Sequence, residues 1–436
     1  MAAGGTFTTQ NKVLPGAYIN FVSKARALGN LGERGIVAVA YEGGWGKTGE
    51  VVRVSLEDFQ KNCFSIFGYN YNSDEMQFLR EIFIGANEAL VYRISSGTKA
   101  SAVIGTGDNA LTVTAINPGT RGNDIKIVIE NDIDTEGNFI VKTIVDTNTT
   151  SVDEQSISNF NELINNDFVL FNGQGKPTVS LGTNLSGGSE LSAKGSDYSE
   201  FLDKIEAYDF TTICYAGEDN TTKALFTSFT KRLRDDEGYK ISCVLYDYPQ
   251  ANHEGIISVK NTKNAVYWVA GKTAGAEVNE SLTNTLYDGE LEFNGNYKKS
   301  QLKNIVENGE FVFYNDKKGC RVLKDINSFT EFSSDKNSDF SNNQVIRVLD
   351  AIANDTARIF NDYYLGKQQN NSVGRDIFKT ELVKYHETLQ AIEAITNFDP
   401  TNITVEKGTE KGDVIVSEFV EPVGAMDKLY MTCVVE

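Results

Sequence analysis

An amphipathic pattern near the C-terminus, over residues 344–367, predicts a long helix with two distinct faces. At 100° per residue, the apolar side chains fall into one arc and the polar side chains fall opposite. The apolar arc contains Val345, Val348, Leu349, Ile352, Ala353, Ile359, Phe360 and Tyr363, and the polar face contains Arg347, Asp350, Asn354, Arg358 and Asn361. Two interpretations of the polar face are open, a solvated surface and a surface that binds a partner.

Ahead of this helix, apolar strand-like runs alternate with helical patterns. The predicted strands cover residues 35–41, 89–94, 210–215 and 240–246, and the predicted helices cover 55–62, 73–84, 198–206, 222–234, 265–276 and 300–307. Helices between strands at this spacing favour an α/β layer structure. Further along the chain, the pattern predicts a hairpin at 310–323, a helix at 376–396, and strands at 402–406 and 413–419.

Residues 98 to 189 have a different composition, in which β-branched residues dominate the apolar runs. Strand-like runs at 110–116, 124–130 and 139–145 are separated by turn clusters such as Asn-Pro-Gly at 117–119. Short strands bounded by turns predict an antiparallel β-domain inserted into the α/β arrangement.

Both ends of the chain have extended patterns. Residues 1–23 contain an alternating stretch at 6–9, a Pro-Gly turn and an apolar strand at 17–22, and residues 428–435 form a last extended segment. Neither end has a partner strand in its own sequence neighbourhood, so both are predicted to be arms.

Length and composition limit the number of domains and the classes of partner. The 436 residues suggest two to four domains. A formal charge of −19 argues against a surface that binds nucleic acid. No run of eighteen apolar residues predicts a membrane span, and the N-terminus lacks the apolar region of a secretory signal. Five scattered cysteines without a CxxC pair are typical of buried free thiols in a reducing cytoplasm.

Two glycine motifs lack the context that nucleotide binding requires. The G-x-G-x-x-G at 44–49 follows a strand, but the strand-like Glu50–Val54 run follows it where a dinucleotide site needs a helix. Gly-Lys-Thr at 46–48 and at 271–273 lacks the earlier glycine of a phosphate loop. We therefore expect no cofactor.

Acid-base or nucleophilic chemistry has few candidates, because the chain contains two histidines. His253 lies in a loop with Asp247 nearby in sequence, but no serine occupies a G-x-S-x-G elbow. His386 is predicted to be a partly buried helix residue. These residues predict neither a hydrolase nor a metal site.

Five separated groups of residues carry a resemblance to a known family. They are residues 4–7 with 14–19, residues 117–123, residues 269–271 with 274–283, residues 344–367, and residues 421–430. In this order they resemble the contractile-tail sheath proteins of bacteriophages and of phage-tail-like (R-type, diffocin-like) bacteriocins, over nearly the full length.

The resemblance implies a multidomain α+β / α/β fold. The expected parts are an N-terminal arm (1–23), a first α/β segment (24–97), an inserted outer β-rich domain (98–190), a subtilisin-like but non-catalytic α/β domain (191–310), an inner C-terminal domain (311–426) and a C-terminal arm (427–436).

The resemblance also implies a structural subunit and not an enzyme. Subunits are expected to stack as hexameric rings around an inner tube in the bacterial cytoplasm and to contract. The implied partners are other copies of the chain, the tail tube protein, and baseplate and tail terminator proteins. Arms with Phe7, Tyr18, Ile19, Leu429, Tyr430 and Val434 are expected to pair between subunits. Arg347, Asn354 and Arg358 are expected to face the tube.

Two alternatives stay open at this point. One is a hydrolase of subtilisin-like fold, and the other is a monomeric module that binds other surfaces through its β-rich insertion.

Overall fold

The computed structural model describes residues 3–5, 16–18, 32, 34–146, 151–292 and 294–435. The chain divides into two compact units, one formed by Met1–Leu31 with Asp355–Glu421 and the other by Gly32–Asn354 with Pro422–Glu436. The helices are α1 (Leu56–Phe67), α2 (Gln77–Phe83), α3 (Gly195–Ile205), α4 (Asn220–Lys231), α5 (Ala265–Gly275), α6 (Lys299–Glu307), α7 (Asn343–Ile359) and α8 (Ser372–Ala391).

The strands follow in chain order. The first are β1 (Ala3–Gly5), β2 (Gly16–Tyr18), β3 (Ile36–Tyr41), β4 (Val51–Ser55) and β5 (Glu88–Arg93). The β-rich region contains β6 (Ser96–Thr98), β7 (Ser101–Ile104), β8 (Leu111–Ala115), β9 (Ile125–Asn131), β10 (Phe139–Val145), β11 (Ser151–Ile157), β12 (Val169–Gly173), β13 (Ser180–Asn184) and β14 (Ser189–Leu191). Later strands are β15 (Thr212–Tyr215), β16 (Ser242–Tyr246), β17 (Ile256–Val259), β18 (Glu310–Phe311), β19 (Phe313–Asp316), β20 (Gly319–Val322), β21 (Ile395–Thr396), β22 (Ile403–Lys407), β23 (Val414–Glu418) and β24 (Glu421–Pro422).

The main sheet of the larger unit has seven strands in the order β18-β17-β16-β15-β3-β5-β4. All neighbours are parallel except β4, which pairs antiparallel with β5 at one edge. Apolar clusters cover both faces. One includes Phe59 of α1, Leu79 of α2 and Trp268 of α5, and the other includes Phe201 of α3 and Phe226 of α4. The strands of a parallel sheet that is covered on both faces are continuous apolar runs. Such runs are the pattern from which the α/β arrangement is predicted.

The β-rich region confirms the predicted antiparallel architecture. Its two larger sheets have the orders β11-β10-β9-β13 and β12-β8-β7, and every pairing in them is antiparallel. Their shared core includes Ile127, Val141 and Val169. Trp45, from the loop after β3, is fully buried in this core and stacks on Phe168 with 5.7 Å between ring centroids.

The smaller unit contains α8, whose buried face carries Phe378, Leu382, Tyr385 and Leu389. The chain then forms the antiparallel hairpin β22–β23. His386 is fully buried on α8, and its Nδ1 lies 2.9 Å from the Leu382 carbonyl oxygen. The prediction of a partly buried histidine therefore underestimated its burial.

Helix α7 is shorter than its pattern predicts. After Ile359 the backbone widens into one π-helical turn, Phe360–Tyr364, and Gly366 follows with φ of +69°. Tyr363, assigned to the apolar arc, is 41% exposed because the wider turn rotates it away from the helical arc. None of the helices in the described ranges is long and apolar enough to span a membrane.

The expectation that the cysteines are free thiols is confirmed. The expectation that they are buried holds for three of the five. All five are unpaired, and Cys63, Cys214 and Cys243 are buried. Cys320 is half-buried and Cys433 is exposed. Cys433 lies near the C-terminus, outside the apolar cores.

Candidate assembly surfaces

The polar face of α7 is largely buried against the larger unit. Arg347 is 4% exposed and donates to the Glu280 carbonyl oxygen, and a second guanidinium nitrogen lies 3.5 Å from Asp325 Oδ2. Asn354 makes two hydrogen bonds to the Lys240 backbone, donating to its oxygen at 2.8 Å and accepting from its nitrogen at 2.9 Å. Arg347 and Asn354, which the resemblance expects to face the tube, therefore make these polar contacts within the chain.

Asp350, on the same face, forms a paired ionic contact with Arg234. Two guanidinium nitrogens of Arg234 donate to the two carboxylate oxygens at 2.7 and 2.8 Å. The Arg234 side chain is 3% exposed and that of Asp350 is 13% exposed. Arg234 also donates to the Ile241 carbonyl oxygen at 2.7 Å, one residue before β16. The pair therefore joins α7 to the amino-terminal end of a strand in the main sheet.

Arg358, the third residue predicted to face a partner, differs from the other two. Its side chain is 38% exposed and lies 3.1 Å from Asp355 Oδ1, one turn earlier on the helix. The Tyr385 hydroxyl donates to the other oxygen of Asp355 at 2.9 Å. The Arg358 side chain is therefore far more accessible than that of Arg347, which is 3% exposed.

The C-terminal segment, residues 426–435, is apolar and exposed. Just before it, the Ala425 nitrogen donates a hydrogen bond to Gln344 Oε1 of α7 at 2.9 Å. Beyond it, six large apolar side chains are each at least 75% exposed, namely Met426, Leu429, Tyr430, Met431, Val434 and Val435. The segment predicted to be extended forms no regular strand within the described chain. A concentration of exposed apolar side chains marks an interaction surface.

The hairpin β22–β23 offers open edges for pairing. Within the described residues its sheet contains only these two strands, so one edge of each is unpaired. Ile415 is 50% exposed and Phe419, one residue after β23, is 66% exposed. Unpaired strand edges beside apolar side chains are templates for strand addition.

The N-terminal prediction can be located only in part. Phe7 and Ile19 lie outside the described residues. The backbone at Tyr18 belongs to β2, which pairs parallel with β1.

The glycine loop at 44–49 has a structural role. Arg93 Nη1 donates to the carbonyl oxygens of Gly46 and Pro118 at 2.9 and 2.8 Å, which ties the loop to the β-rich region. The next element is the strand β4, as the sequence predicts. The second Gly-Lys-Thr lies inside α5, where a Cβ at Gly271 would come within 2.1 Å of the Ile82 carbonyl oxygen. That glycine allows α5 and α2 to pack closely.

His253 has hydrogen bonds that suit neither hydrolysis nor metal binding. Its Nδ1 accepts from the Gly255 nitrogen at 3.0 Å, so the proton of the neutral ring lies on Nε2, 3.1 Å from Asp235 Oδ2. Glu254 completes a group of three possible ligands. A metal bound to Nε2 would require the proton of the neutral ring to lie on Nδ1. Nδ1 already accepts a hydrogen bond from the Gly255 nitrogen, so it cannot carry that proton. Asp247, the candidate partner in sequence, instead accepts from Lys260 at 2.8 Å.

The buried His253 makes stability depend on pH. Burial lowers the pKa of His253 below its usual 6.5, although Glu254 and Asp235 oppose the shift. The unfolded chain then binds the proton more readily, so stability present above pH 6.5 is lost as the pH falls towards the lower folded pKa. We expect His253→Asn, which preserves an acceptor for Gly255, to lose less stability than wild type between pH 7.5 and 5 in urea unfolding. Parallel pH profiles for the two proteins would contradict this assignment.

Family models match nearly the whole described chain. The models describe the N-terminal region of domain III of tail sheath protein Gp18 at residues 34–94, the phage tail sheath protein β-sandwich domain at 95–190, its central domain at 192–328, and its C-terminal domain at 335–436. Together they cover the main sheet, the β-rich region and the C-terminal elements.

Near full-length relatives agree with the domain matches. The phage-like element PBSX protein XkdK of Bacillus subtilis is 33% identical, with 98% of each chain aligned. The sheath tail protein of Desulfitobacterium hafniense is 40% identical with a TM-score of 0.85, covering 95% of this chain and 99% of that one. The helical sheath of the anti-feeding prophage in its contracted state shares the fold, with a TM-score of 0.58 at 12% identity over 97% and 99% of the chains.

Proposed function

The chain belongs to the phage tail sheath family, whose members are structural proteins and not enzymes, and we propose that it polymerises as stacked hexameric rings around an inner tube. Neighbouring subunits are linked by their terminal arms, and the assembled sheath contracts to drive the tube through a cell envelope. A polymer of this kind arises from head-to-tail contacts that repeat along a helix.

The exposed C-terminal segment is the observation that carries this proposal. Its six apolar side chains are exposed in the single chain, although burying a large apolar side chain contributes about 1.5–3 kcal/mol. A second copy of the chain supplies the missing surface. The arrangement favours self-assembly over a monomeric binding module.

The hairpin β22–β23 is the proposed acceptor for a neighbouring arm. An arm added at either open edge gains backbone hydrogen bonds worth about 0.5–1.5 kcal/mol each. Leu429, Tyr430 and Val434 then lie against the hairpin, and the N-terminal arm with Phe7, Tyr18 and Ile19 extends the same sheet. Linkers of this kind hold rings together while the bodies of the subunits rotate.

Contraction needs no nucleotide in this proposal. The extended sheath is a kinetically trapped state, and a signal from the baseplate releases it. The bodies then bury more surface against one another, and that packing supplies the energy. The structural role of the glycine loop at 44–49 is consistent with this mechanism.

The proposed partners are other copies of the chain, the tube, the baseplate and a tail terminator, with assembly in the bacterial cytoplasm. For the tube we retain Arg358, because its side chain is partly accessible. Arg347 and Asn354 support the helix from inside the chain. Weak, salt-screened contacts at the tube surface suit a sheath that must release it.

Electron microscopy of the purified full-length protein tests the proposal. We expect rings or tubes whose amount rises with protein concentration. A chain that stays monomeric at high concentration would contradict self-assembly and favour a binding module that uses the β-rich region.

A further inference from the structure

A cleft of about 350 Å³ opens at the carboxyl ends of the central strands of the main sheet. Strands β3 and β15 are neighbours there, but the chain continues from β3 towards the β5 side and from β15 towards the β16 side. Connections that part in opposite directions leave a crevice where ligands bind in open α/β sheets. The lining includes Glu42 after β3 and Gly217 after β15. Its volume falls in the range of small-molecule sites.

Two groups of aromatic rings line this cleft. In one, Phe78 stacks on Tyr41 with 5.4 Å between ring centroids and contacts Tyr267 at 5.6 Å. In the other, Tyr198 meets Tyr215 edge to face at 5.0 Å. The exposed faces of such rings attract cations, because the π-system is negative at its face.

Two phenol groups of the cleft have unused hydrogen-bonding capacity. Within the part of the chain that the structure describes, the hydroxyls of Tyr198 and Tyr267 have no hydrogen-bond partner. Burial is the main cause that raises the pKa of both phenols, and the nearby Glu42 carboxylate raises each further. Both phenols are therefore neutral, and each can accept a hydrogen bond from a ligand.

The electrostatic balance of the cleft is negative. Four carboxylates line it, those of Glu42, Asp74, Glu75 and Glu81. The one lining cation among the described residues is Lys263, whose ammonium lies 3.6 Å from Glu218. This charge disfavours an anionic ligand.

Glu42 is the carboxylate best placed to bind a ligand. Glu81 is already occupied, because it accepts from the Tyr287 hydroxyl at 2.8 Å and from the Glu290 nitrogen at 2.6 Å. Glu42 uses one oxygen to accept from the Ala193 nitrogen at 3.2 Å, and its other oxygen has no partner among the described residues. Glu42 belongs to the same lining as the two phenols.

We infer that this aromatic–acidic cleft binds a small organic cation, an alkylammonium or guanidinium group. The cationic head donates hydrogen bonds to Glu42 and to the phenol oxygens, while its alkyl part covers the rings. A free amine and the side chain of a lysine or arginine share this chemistry.

Isothermal titration calorimetry with the full-length protein tests the inference by measuring the affinity for small cations. The probes are n-butylammonium and N-acetyl-lysine amide, with potassium chloride at equal ionic strength as the reference. We expect saturable binding of at least one probe. Glu42→Gln should weaken that binding by about tenfold or more, since it removes a charged acceptor. Tyr267→Phe, which preserves the ring, should weaken it to a smaller extent.

Glu136→Gln is the matched control, because it removes an equal charge at an exposed turn of the β-rich region. Its binding should equal that of wild type. Binding of butylammonium alone would identify a free amine as the source, and binding of the lysine amide alone would identify a side chain. The inference is overturned if neither probe binds beyond potassium chloride, or if Glu42→Gln binds as tightly as wild type. Neither result depends on polymerisation.

Discussion

Deleting residues 428–436 is expected to abolish sheath polymers and to leave a folded monomer. The deleted segment contains five of the six exposed apolar side chains, so the single chain loses little buried surface without it. Removing exposed groups changes stability by about 0.5 kcal/mol or less. Electron microscopy and sedimentation velocity measure the loss of polymer, and circular dichroism with thermal melting measures the fold.

A matched pair of variants separates the apolar surface of the segment from its charge. Leu429→Asp combined with Tyr430→Asp adds two negative charges and removes two apolar side chains, and we expect it to prevent polymerisation. Lys428→Glu changes the charge by the same amount but preserves both apolar side chains, so it should polymerise. If the deletion variant still forms normal sheath, the C-terminal segment does not link the subunits.

Much of the main sheet could be predicted from local pattern. Its buried strands are continuous apolar runs, as in Ile36–Tyr41 and Glu88–Arg93, because a parallel sheet is covered on both faces. Local pattern does not predict the strand Ile256–Val259, because it has four residues and follows directly after a turn. A run that short carries no periodicity that separates strand from loop.

The polar face of α7 shows where pattern reasoning fails. The periodicity of residues 344–367 separates apolar from polar positions, but a polar position can be solvated or buried with a partner. Arg234, the partner of Asp350, lies 116 residues earlier in the chain. Periodicity does not reveal such a distant pairing. The exposure of the C-terminal apolar residues is easier to anticipate, because they have no local partner in sequence, and no other residue covers them in the described chain.

The ion pair between Arg234 and Asp350 leads to the largest expected change in stability. Asp350→Ala leaves the Arg234 guanidinium buried without its carboxylate, and breaking a buried pair in this way costs about 3–5 kcal/mol. Urea unfolding followed by tryptophan fluorescence measures the change. Trp45 and Trp268 are both fully buried in the same unit as the pair, so the signal reports on the unit that loses it.

Two further variants distinguish an unpaired charge from a lost contact. Arg234→Met combined with Asp350→Leu removes both charges and retains apolar bulk, and it should recover most of the stability because no buried charge is left unpaired. Asp203→Ala removes an exposed carboxylate on α3, in the same unit as the pair, and should change the free energy of unfolding by about 0.5 kcal/mol or less. If Asp350→Ala is no less stable than Asp203→Ala, the pair does not hold the helix to the sheet. If the double variant is as unstable as Asp350→Ala, the loss of stability comes from disrupted packing around the pair and not from an unpaired buried charge.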